Sequence, residues 1–267
     1  MAAPRTKAGS TSSSLAKALK VLTFIGLHGE AELAEIAEHT GYPKSTLLRL
    51  INTMIKEGFL QRQVHGRYQV TLKVWRIGAG AVQYARITEQ VVPTLRQLVE
   101  STGETAHYSV YDTGHAVYIE KIDGLHPVTV YTRVGGRSPA HASATGKALL
   151  AWQDEAEIKR VAEQAEKFTD RTQVGVESIL RHAESVRRAG YAVNRGEWRT
   201  EVWGVGAPVF GKAGKVEAAV GISGPTLRIK ANLEKHIVAV TDAAIKLSEY
   251  YGAHEQGYRR LSPLGGE

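Results

Sequence analysis

The stretch from residue 32 to residue 60, ELAEIAEHTGYPKSTLLRLINTMIKEGFL, constrains the fold more than any other part of the chain. Apolar residues recur there at three- and four-residue spacing in two groups, each typical of the buried face of a short helix. They are Leu33, Ile36 and Ala37 in the first group and Leu47, Leu50, Ile51 and Met54 in the second. Gly41 can adopt the positive φ of a sharp turn between them. Pro43 suits the first turn of the second helix, because its missing N–H has no intrahelical partner there. The stretch therefore predicts a helix-turn-helix.

The outer face of the second predicted helix carries side chains that suit a DNA major groove. Arginine can bond a guanine edge or a phosphate, asparagine can bond adenine, and serine or threonine hydroxyls can bond phosphate oxygens. The candidate reading residues are Lys44, Ser45, Thr46, Arg49 and Asn52. Because such turns are common in all-helical proteins, spacing alone leaves a plain solvated hairpin as an equal alternative.

The distribution of charge favours the first of these interpretations. Residues 1–90 contain 12 Lys and Arg residues against 6 Asp and Glu, whereas residues 91–267 contain 22 against 21. The net charge of +7 therefore belongs almost wholly to the segment with the helix-turn-helix. A phosphate backbone is the natural partner of such a basic region, so we predict DNA binding.

Two short runs after the second helix, residues 59–62 and 67–70, flank a turn sequence that contains Gly66. This pattern predicts a β-hairpin, the wing of a winged helix-turn-helix. Arg62 and Arg67 on this wing could reach the adjacent minor groove or the phosphates. A further helix over residues 13–27 would complete the domain.

The remainder of the chain is long enough for a second domain. Residues 72–87 predict a linker helix weakened by Gly78 and Gly80, whose apolar residues need a partner surface in the wing domain or in another chain. Beyond residue 102, alternating runs predict a mixed, mainly antiparallel sheet with helices on one or both faces, and hence an α+β fold. The predicted strands are 105–111, 116–121, 128–133, 191–194, 202–210 and 216–223, and the predicted helices are 91–101, 145–152, 155–166, 177–189 and 228–251.

Composition and motifs exclude several classes of protein. The absence of cysteine excludes disulfides, thiolate catalysis and cysteine-based zinc sites. The histidines lack the spacing of a zinc motif, no glycine-rich run opens a phosphate-binding helix, and no catalytic constellation is present, so we expect no metal, no cofactor and no enzyme. No apolar run approaches the roughly 20 residues of a membrane span, and the first residues contain no signal-peptide core. We therefore expect a cytoplasmic protein without a membrane partner.

Motifs in both halves of the chain resemble those of the IclR family of bacterial transcriptional regulators. They are the helix-turn-helix stretch, TGET at 102–105, VGGRSP at 134–139, HASATGKALLA at 141–151, GYA at 190–192, APVF at 207–210 and ISGP at 222–225. With this resemblance we expect a disordered segment 1–12, a winged helix-turn-helix domain 13–71, a linker helix 72–87, a GAF-like α/β effector-binding domain 88–252 and a tail 253–267.

The resemblance also implies a function and a binding site. A homodimer or homotetramer would bind a double-stranded DNA operator, repress or activate a catabolic operon, and respond to a small organic acid, with no cofactor. By matching motifs, the effector would contact Val130, Ala144, Thr145, Asn194, Val202, Gly204, Gly221 and Ser223. Backbone N–H groups at the helix start near Ala144 suit a carboxylate, and the hydroxyls of Thr145 and Ser223 can add hydrogen bonds.

Departures from the family pattern leave the effector open. Asn194 stands where some relatives have an acidic residue, and Gly221 stands where some have a serine. Trp198 and Trp203 would suit a larger or aromatic acid, or they serve only in packing. Two other functions remain alternatives: a ligand-independent architectural DNA binder, and an enzyme whose basic segment only localises it on DNA.

Overall fold

The computed structural model describes residues 13–81, 87–212 and 214–253. The chain divides into two compact units, Met1–Tyr84 and Ala85–Glu267. The predicted disordered segment 1–12, the predicted tail beyond residue 253, and residues 82–86 of the predicted linker helix lie outside the described residues. Within the described ranges, no helix combines the length and the apolar character needed to cross a membrane.

The first unit contains the predicted helix-turn-helix. Its helices are α1 (Ser13–His28), α2 (Leu33–Thr40), α3 (Lys44–Lys56) and α4 (Leu72–Ala81). Gly41 has φ 70° and ends α2 with a hydrogen bond from its N–H to the Ala37 carbonyl, as the turn requires. Pro43 has an extended backbone and precedes α3 as its N-cap residue, one position earlier than we predicted. Ile25, Ile36 and Ile51 are fully buried between the helices.

The wing of the first unit is a three-stranded sheet and not a two-stranded hairpin. Its strands are β1 (Glu30–Ala31), β2 (Leu60–Arg62) and β3 (Tyr68–Val70), in the order β1-β3-β2, with antiparallel pairing throughout. The predicted hairpin between β2 and β3 is confirmed. Strand β1 was missed because two residues cannot display the alternation from which a strand is recognised.

The second unit is built on one six-stranded antiparallel sheet in the order β6-β5-β4-β9-β8-β7. Its strands are β4 (Thr105–Asp112), β5 (His115–Ile122), β6 (Arg137–Pro139), β7 (Ala192–Arg195), β8 (Val202–Phe210) and β9 (Val216–Pro225). Its helices are α5 (Val92–Thr102, after the π-helical turn Ile87–Val91), α6 (Ala144–Leu150), α7 (Glu155–Glu163), α8 (Val176–Ala189), α9 (Thr226–Ala231) and α10 (Leu233–Tyr250). The predicted α+β class is confirmed.

Two predicted elements of this unit are wrong. Residues 128–133 are not a strand but part of the connection between β5 and β6, and the sixth strand, β6, comes later. The side chains of Val128 and Tyr131 are 66% and 79% exposed, so the apolar residues that suggested a strand do not enter the core. The single predicted C-terminal helix is two helices, because Asn232 breaks the helical backbone between α9 and α10 with φ −124°.

Helix α6 lies unusually close to the sheet. A Cβ atom at Gly206 of β8 would lie only 2.7 Å from the Ala144 carbonyl carbon, and one at Gly221 of β9 would lie 2.9 Å from the Thr145 Cγ2 atom. Glycine at these positions therefore allows the first turn of α6 to rest directly on β8 and β9. This contact forms the floor of the cavity described next.

Candidate nucleic-acid interface and ligand cavity

The outer face of α3 presents the residues that we predicted to read DNA. Lys44, Ser45, Arg49 and Asn52 are exposed, and Thr46 is half-buried. The 13 residues of α3 contain three cations and no acidic residue. Apart from the partly exposed Leu48, helix α3 thus offers polar and basic side chains on its free face, which is the arrangement that a recognition helix needs.

The two wing arginines lie in different surroundings. Arg62 is exposed, and its guanidinium lies 5.9 Å from the centre of the Tyr68 ring. Arg67 instead lies among three carboxylates, those of Glu30, Glu32 and Glu35, each 3.0 Å away. The contacts to Glu32 and Glu35 are hydrogen bonds, whereas the contact to Glu30 is an ion pair without hydrogen-bond alignment.

This cluster changes the expectation for Arg67. Arg67 joins β3 to the start of α2 and is already neutralised within the first unit, so a structural role is favoured over a phosphate contact. The predicted phosphate contact from the wing then falls mainly to Arg62.

A narrow cavity of about 40 Å³ opens above the first turn of α6 in the second unit. Seven of the eight predicted effector residues line it: Val130, Ala144, Thr145, Asn194, Val202, Gly204 and Ser223. They come from the β5–β6 connection, from α6, and from β7, β8 and β9. Motifs that are far apart in the sequence therefore meet at one place.

Gly221 is the predicted residue that does not line the cavity. It pairs with Gly206 in the sheet, and the Thr145 methyl group covers it. A Cβ atom at Gly221 would lie 2.4 Å from the Val205 carbonyl oxygen, so a serine there would not fit this backbone. The position that some relatives use for a hydroxyl is thus occupied by packing of α6.

Three polar residues around the cavity differ in whether they already have partners. The Ser223 hydroxyl is buried and has no hydrogen-bond partner. Asn194 Oδ1 accepts bonds from the N–H groups of Gly196 and Glu197, which leaves its Nδ2 as a donor for a ligand. Thr145 Oγ1 accepts a bond from the Ser109 hydroxyl over 3.3 Å. Buried polar groups are normally hydrogen-bonded, so the lone Ser223 hydroxyl indicates a place for a ligand atom.

His107 lines the cavity from β4, although it was not predicted as a binding residue because its neighbours in the chain form no motif. Its Nε2 lies 2.9 Å from Thr132 Oγ1, and its ring packs on Tyr118 at 4.7 Å between centroids. Burial, with a smaller contribution from the charge of Lys121, lowers the pKa of His107 to about 3. The imidazole is therefore neutral at physiological pH and offers the cavity a hydrogen-bonding group without charge.

Arg199 supplies a full positive charge at the cavity. It follows Trp198 in the turn between β7 and β8, and its guanidinium lies 4.9 Å from the centre of the Trp198 ring. Among the described residues that line the cavity, none is Asp or Glu. Trp203 does not line the cavity and is buried in the sheet, which makes it a packing residue, whereas Trp198 does line it.

A buried ion pair supports the turn that carries Trp198 and Arg199. The Lys147 ammonium of α6 lies 2.5 Å from Glu197 Oε2 and donates a 2.6 Å bond to the Val193 carbonyl. The side chains of Lys147 and Glu197 are only 2% and 7% exposed. Burial lowers the pKa of Lys147, and the charge of Glu197 opposes that shift. The pair joins α6, which forms the floor of the cavity, to the turn that forms one side.

Each of the two units matches a known protein-family model. The model described as "IclR helix-turn-helix domain" matches residues 14–64, and that described as "Bacterial transcriptional regulator IclR C-terminal" matches residues 79–249. The HTH-type transcriptional regulator KdgR of Escherichia coli (strain K12) is 33% identical over 247 residues, which are 91% of this chain and 94% of that protein.

Solved structures give the same result for the fold. The Thermotoga maritima IclR structure has a TM-score of 0.70 and 28% identity, and the match covers 90% of this chain and 98% of that one. An IclR homolog from Microbacterium hydrocarbonoxydans, complexed with 4-hydroxybenzoate, has a TM-score of 0.78 and 22% identity over 90% of this chain and 99% of that one. At 22% identity, the similarity to the M. hydrocarbonoxydans homolog shows the fold alone.

Proposed function

Since the chain belongs to the IclR family of bacterial transcriptional regulators, we propose that a small carboxylic acid, bound in the cavity of its second unit, controls its binding to an operator. The observation that carries this proposal is the chemistry of the cavity. It combines the unpaired Ser223 hydroxyl with the charge of Arg199, and no acidic residue opposes an anion among the described lining residues. Charge-assisted hydrogen bonds from such groups recognise carboxylates.

The DNA-binding half of the proposal rests on α3 and the wing. Lys44, Ser45, Thr46, Arg49 and Asn52 would meet the major groove, and Arg62 would contact the phosphates. We propose that a homodimer or homotetramer presents two such helices to a roughly palindromic operator of a catabolic operon, as two-fold symmetry requires.

The size of the cavity bears on which acid fits. A volume of about 40 Å³ is enough for a few water molecules but not for an aromatic ring. A ring would fit only if the β5–β6 connection or the turn with Trp198 moved outward. 4-Hydroxybenzoate, with which the M. hydrocarbonoxydans homolog was solved, is therefore the aromatic acid chosen for the test below.

The cavity suits binding better than catalysis. His107 is neutral and buried, and no carboxylate lies beside it among the described lining residues, so the cavity has no pair of groups for general acid–base chemistry. We therefore propose a regulator and not an enzyme. An acid that binds one arrangement of the protein more tightly than another would shift the population between them and so change operator affinity.

A thermal-shift screen with matched charged and neutral compounds tests the proposal. The pairs are acetate with acetamide and 4-hydroxybenzoate with 4-hydroxybenzamide. An acid at 100 times its Kd stabilises the folded state by about 2.7 kcal/mol, which raises the Tm of a unit of this size by roughly 5–10 °C. We expect shifts with the acids and not with the amides, and a change in gel-shift affinity for an operator selected from random DNA.

Two variants test whether the ligand binds in this cavity. Arg199→Gln removes the charge and Ser223→Ala removes the unpaired hydroxyl, and each is expected to weaken acid binding, roughly tenfold or more for the charge. Arg188→Gln, on the exposed surface of α8, is the matched control. Equal shifts with acids and amides, or unchanged acid binding in both cavity variants, would contradict the proposal.

A further inference from the structure

The TGET motif at residues 102–105 has no place among the cavity-lining residues, yet it contains a buried carboxylate. The side chain of Glu104 is 2% exposed and lies just beyond the end of α5. Both of its oxygens bind Arg228 of α9: Nε lies 2.6 Å from Oε1 and Nη2 lies 2.8 Å from Oε2. A third bond runs from Arg228 Nη2 to the Val128 carbonyl over 2.9 Å.

The ISGP motif at residues 222–225 makes room for this carboxylate. A Cβ atom at Gly224 would lie 2.2 Å from Glu104 Oε2, so any other residue there would displace the carboxylate from Arg228. The residue before Gly224 is Ser223, whose unpaired hydroxyl lines the cavity. Two motifs that are far apart in the sequence thus meet beside the cavity, where Gly224 of one leaves room for the Glu104 carboxylate of the other.

Arg228 bonds to the connection between β5 and β6, residues 123–136, which we call the wall loop. Val130, Tyr131 and Thr132 of the wall loop line the cavity. The wall loop buries little apolar surface, since Val128 and Tyr131 are largely exposed.

Polar contacts hold the wall loop in place of apolar packing. At its start, the Leu125 N–H donates to the Gly103 carbonyl. Near its middle, Lys121 Nζ donates to the Thr132 carbonyl and His107 bonds the Thr132 hydroxyl. Between these contacts, Arg228 bonds the Val128 carbonyl and His126 Nε2 lies 3.9 Å from Glu104 Oε1. Because so little apolar burial fixes the wall loop, its position depends on these few bonds.

We propose that Glu104 and Arg228 are a positioning pair that holds the wall loop over the cavity and thereby sets the affinity for the effector. Glu104 orients the Arg228 guanidinium, and Arg228 holds the Val128 carbonyl two residues from the cavity-lining Val130. The part of this inference that concerns affinity rests on the proposed function. The part that concerns the wall loop does not, because it can be measured without a ligand.

Two variants of the full-length protein test the pair. Arg228→Lys keeps the charge, but one ammonium cannot span both carboxylate oxygens and the Val128 carbonyl. The double variant Glu104→Gln, Arg228→Gln removes both charges together, so that no buried carboxylate is left unpaired if the single variant unfolds. Arg181→Lys, in the exposed Arg181–Glu177 pair of α8, is the matched control.

Hydrogen–deuterium exchange of the ligand-free protein is the first measurement. We expect exchange of hydrogen-bonded wall-loop amides, those of Gly124, Leu125 and Gly135, to rise about tenfold in both variants, the loss that follows from removing one hydrogen bond to a charged donor. Exchange in β8 and α3 should stay as in the wild type, and the control should change neither. Unchanged exchange in the wall loop, or an equal rise throughout the second unit, would overturn the inference.

Binding of acetate and 4-hydroxybenzoate is the second measurement. For whichever acid binds the wild type, Kd is expected to rise about tenfold in both variants with the control unchanged. A loosened wall loop with unchanged Kd overturns the claim about affinity. If neither acid binds the wild type, the proposed function fails, while hydrogen exchange still decides whether the pair positions the wall loop.

Discussion

Acidification should destabilise the second unit through His107, and the burial of its imidazole sets the direction of the effect. The pKa of His107 is about 3 in the folded protein because the imidazole is buried, against 6.5 for the ordinary group. Between these values the unfolded chain binds a proton that the folded chain excludes, so stability is lost as pH falls from 6.5 towards 3. Each pH unit in that range costs about 1.4 kcal/mol.

The perturbation that isolates this effect is His107→Gln, which keeps a polar side chain near Thr132 but cannot titrate. From pH 7 to pH 5 the wild type should lose about 2 kcal/mol through His107, and the variant should not. Between pH 7 and pH 5 the difference in stability between the two proteins should therefore shift by that amount in favour of the variant. His182, whose pKa burial lowers to about 4, titrates in both proteins and therefore cancels from the comparison.

Urea unfolding at the two pH values, followed by tryptophan fluorescence, measures the gap. Trp152, Trp198 and Trp203 all lie in the second unit and report its unfolding. Thr132→Val is the control, because it removes the hydrogen-bond partner and leaves the buried imidazole able to titrate. Equal losses of stability in wild type and His107→Gln would refute the reasoning, since they would show that His107 is not held neutral by burial.

Three further predictions concern DNA binding and stability. Arg49→Ala is expected to weaken operator binding and relax its sequence preference, whereas Arg62→Ala should weaken binding to all sequences and reduce the slope of log K against log salt by about 0.9, both measured by gel shift over a salt series. Arg67→Ala should lower the melting temperature of the first unit and leave the slope of log K against log salt unchanged, because three carboxylates already neutralise Arg67. A reduced slope would show that Arg67 does contact DNA phosphates. Lys147→Met should cost about 3–5 kcal/mol in urea unfolding by leaving Glu197 buried without a partner, and adding Glu197→Leu should recover most of the loss; no recovery would contradict the role of the pair.

Local periodicity predicted most of the helices and strands, because each repeats its buried residues within a few positions. The bounds of β8 were predicted without error, and α3 followed the apolar residues from Leu47 to Met54. Residues 128–133 were assigned wrongly for a related reason. Their apolar alternation is typical of a strand, but it belongs to a loop whose Val128 and Tyr131 side chains face solvent and whose carbonyls bond side chains instead of a neighbouring strand.

Some of the residues that line the cavity could be predicted from sequence motifs, whereas others could be identified only from the structure. Residues in recognisable motifs, such as Thr145 and Ser223, were assigned from the sequence and do line the cavity. His107 and Arg199 were not, because a single histidine in a strand or a single arginine in a turn has no pattern of its own. The carboxylate contacts of Arg67 were not predicted either, because its partners lie more than 30 residues away in the chain, where no local pattern connects them.

The close contact between α6 and the glycines at 206 and 221 limits how this binding site can be redesigned. Any larger residue at either position would lift the first turn of α6, and with it Ala144 and Thr145, away from the sheet. The floor of the cavity therefore tolerates little variation in size. The wall loop packs less tightly, since Val128 and Tyr131 are largely exposed, and can accept different side chains. A library intended to change ligand specificity should randomise the wall loop and keep both glycines.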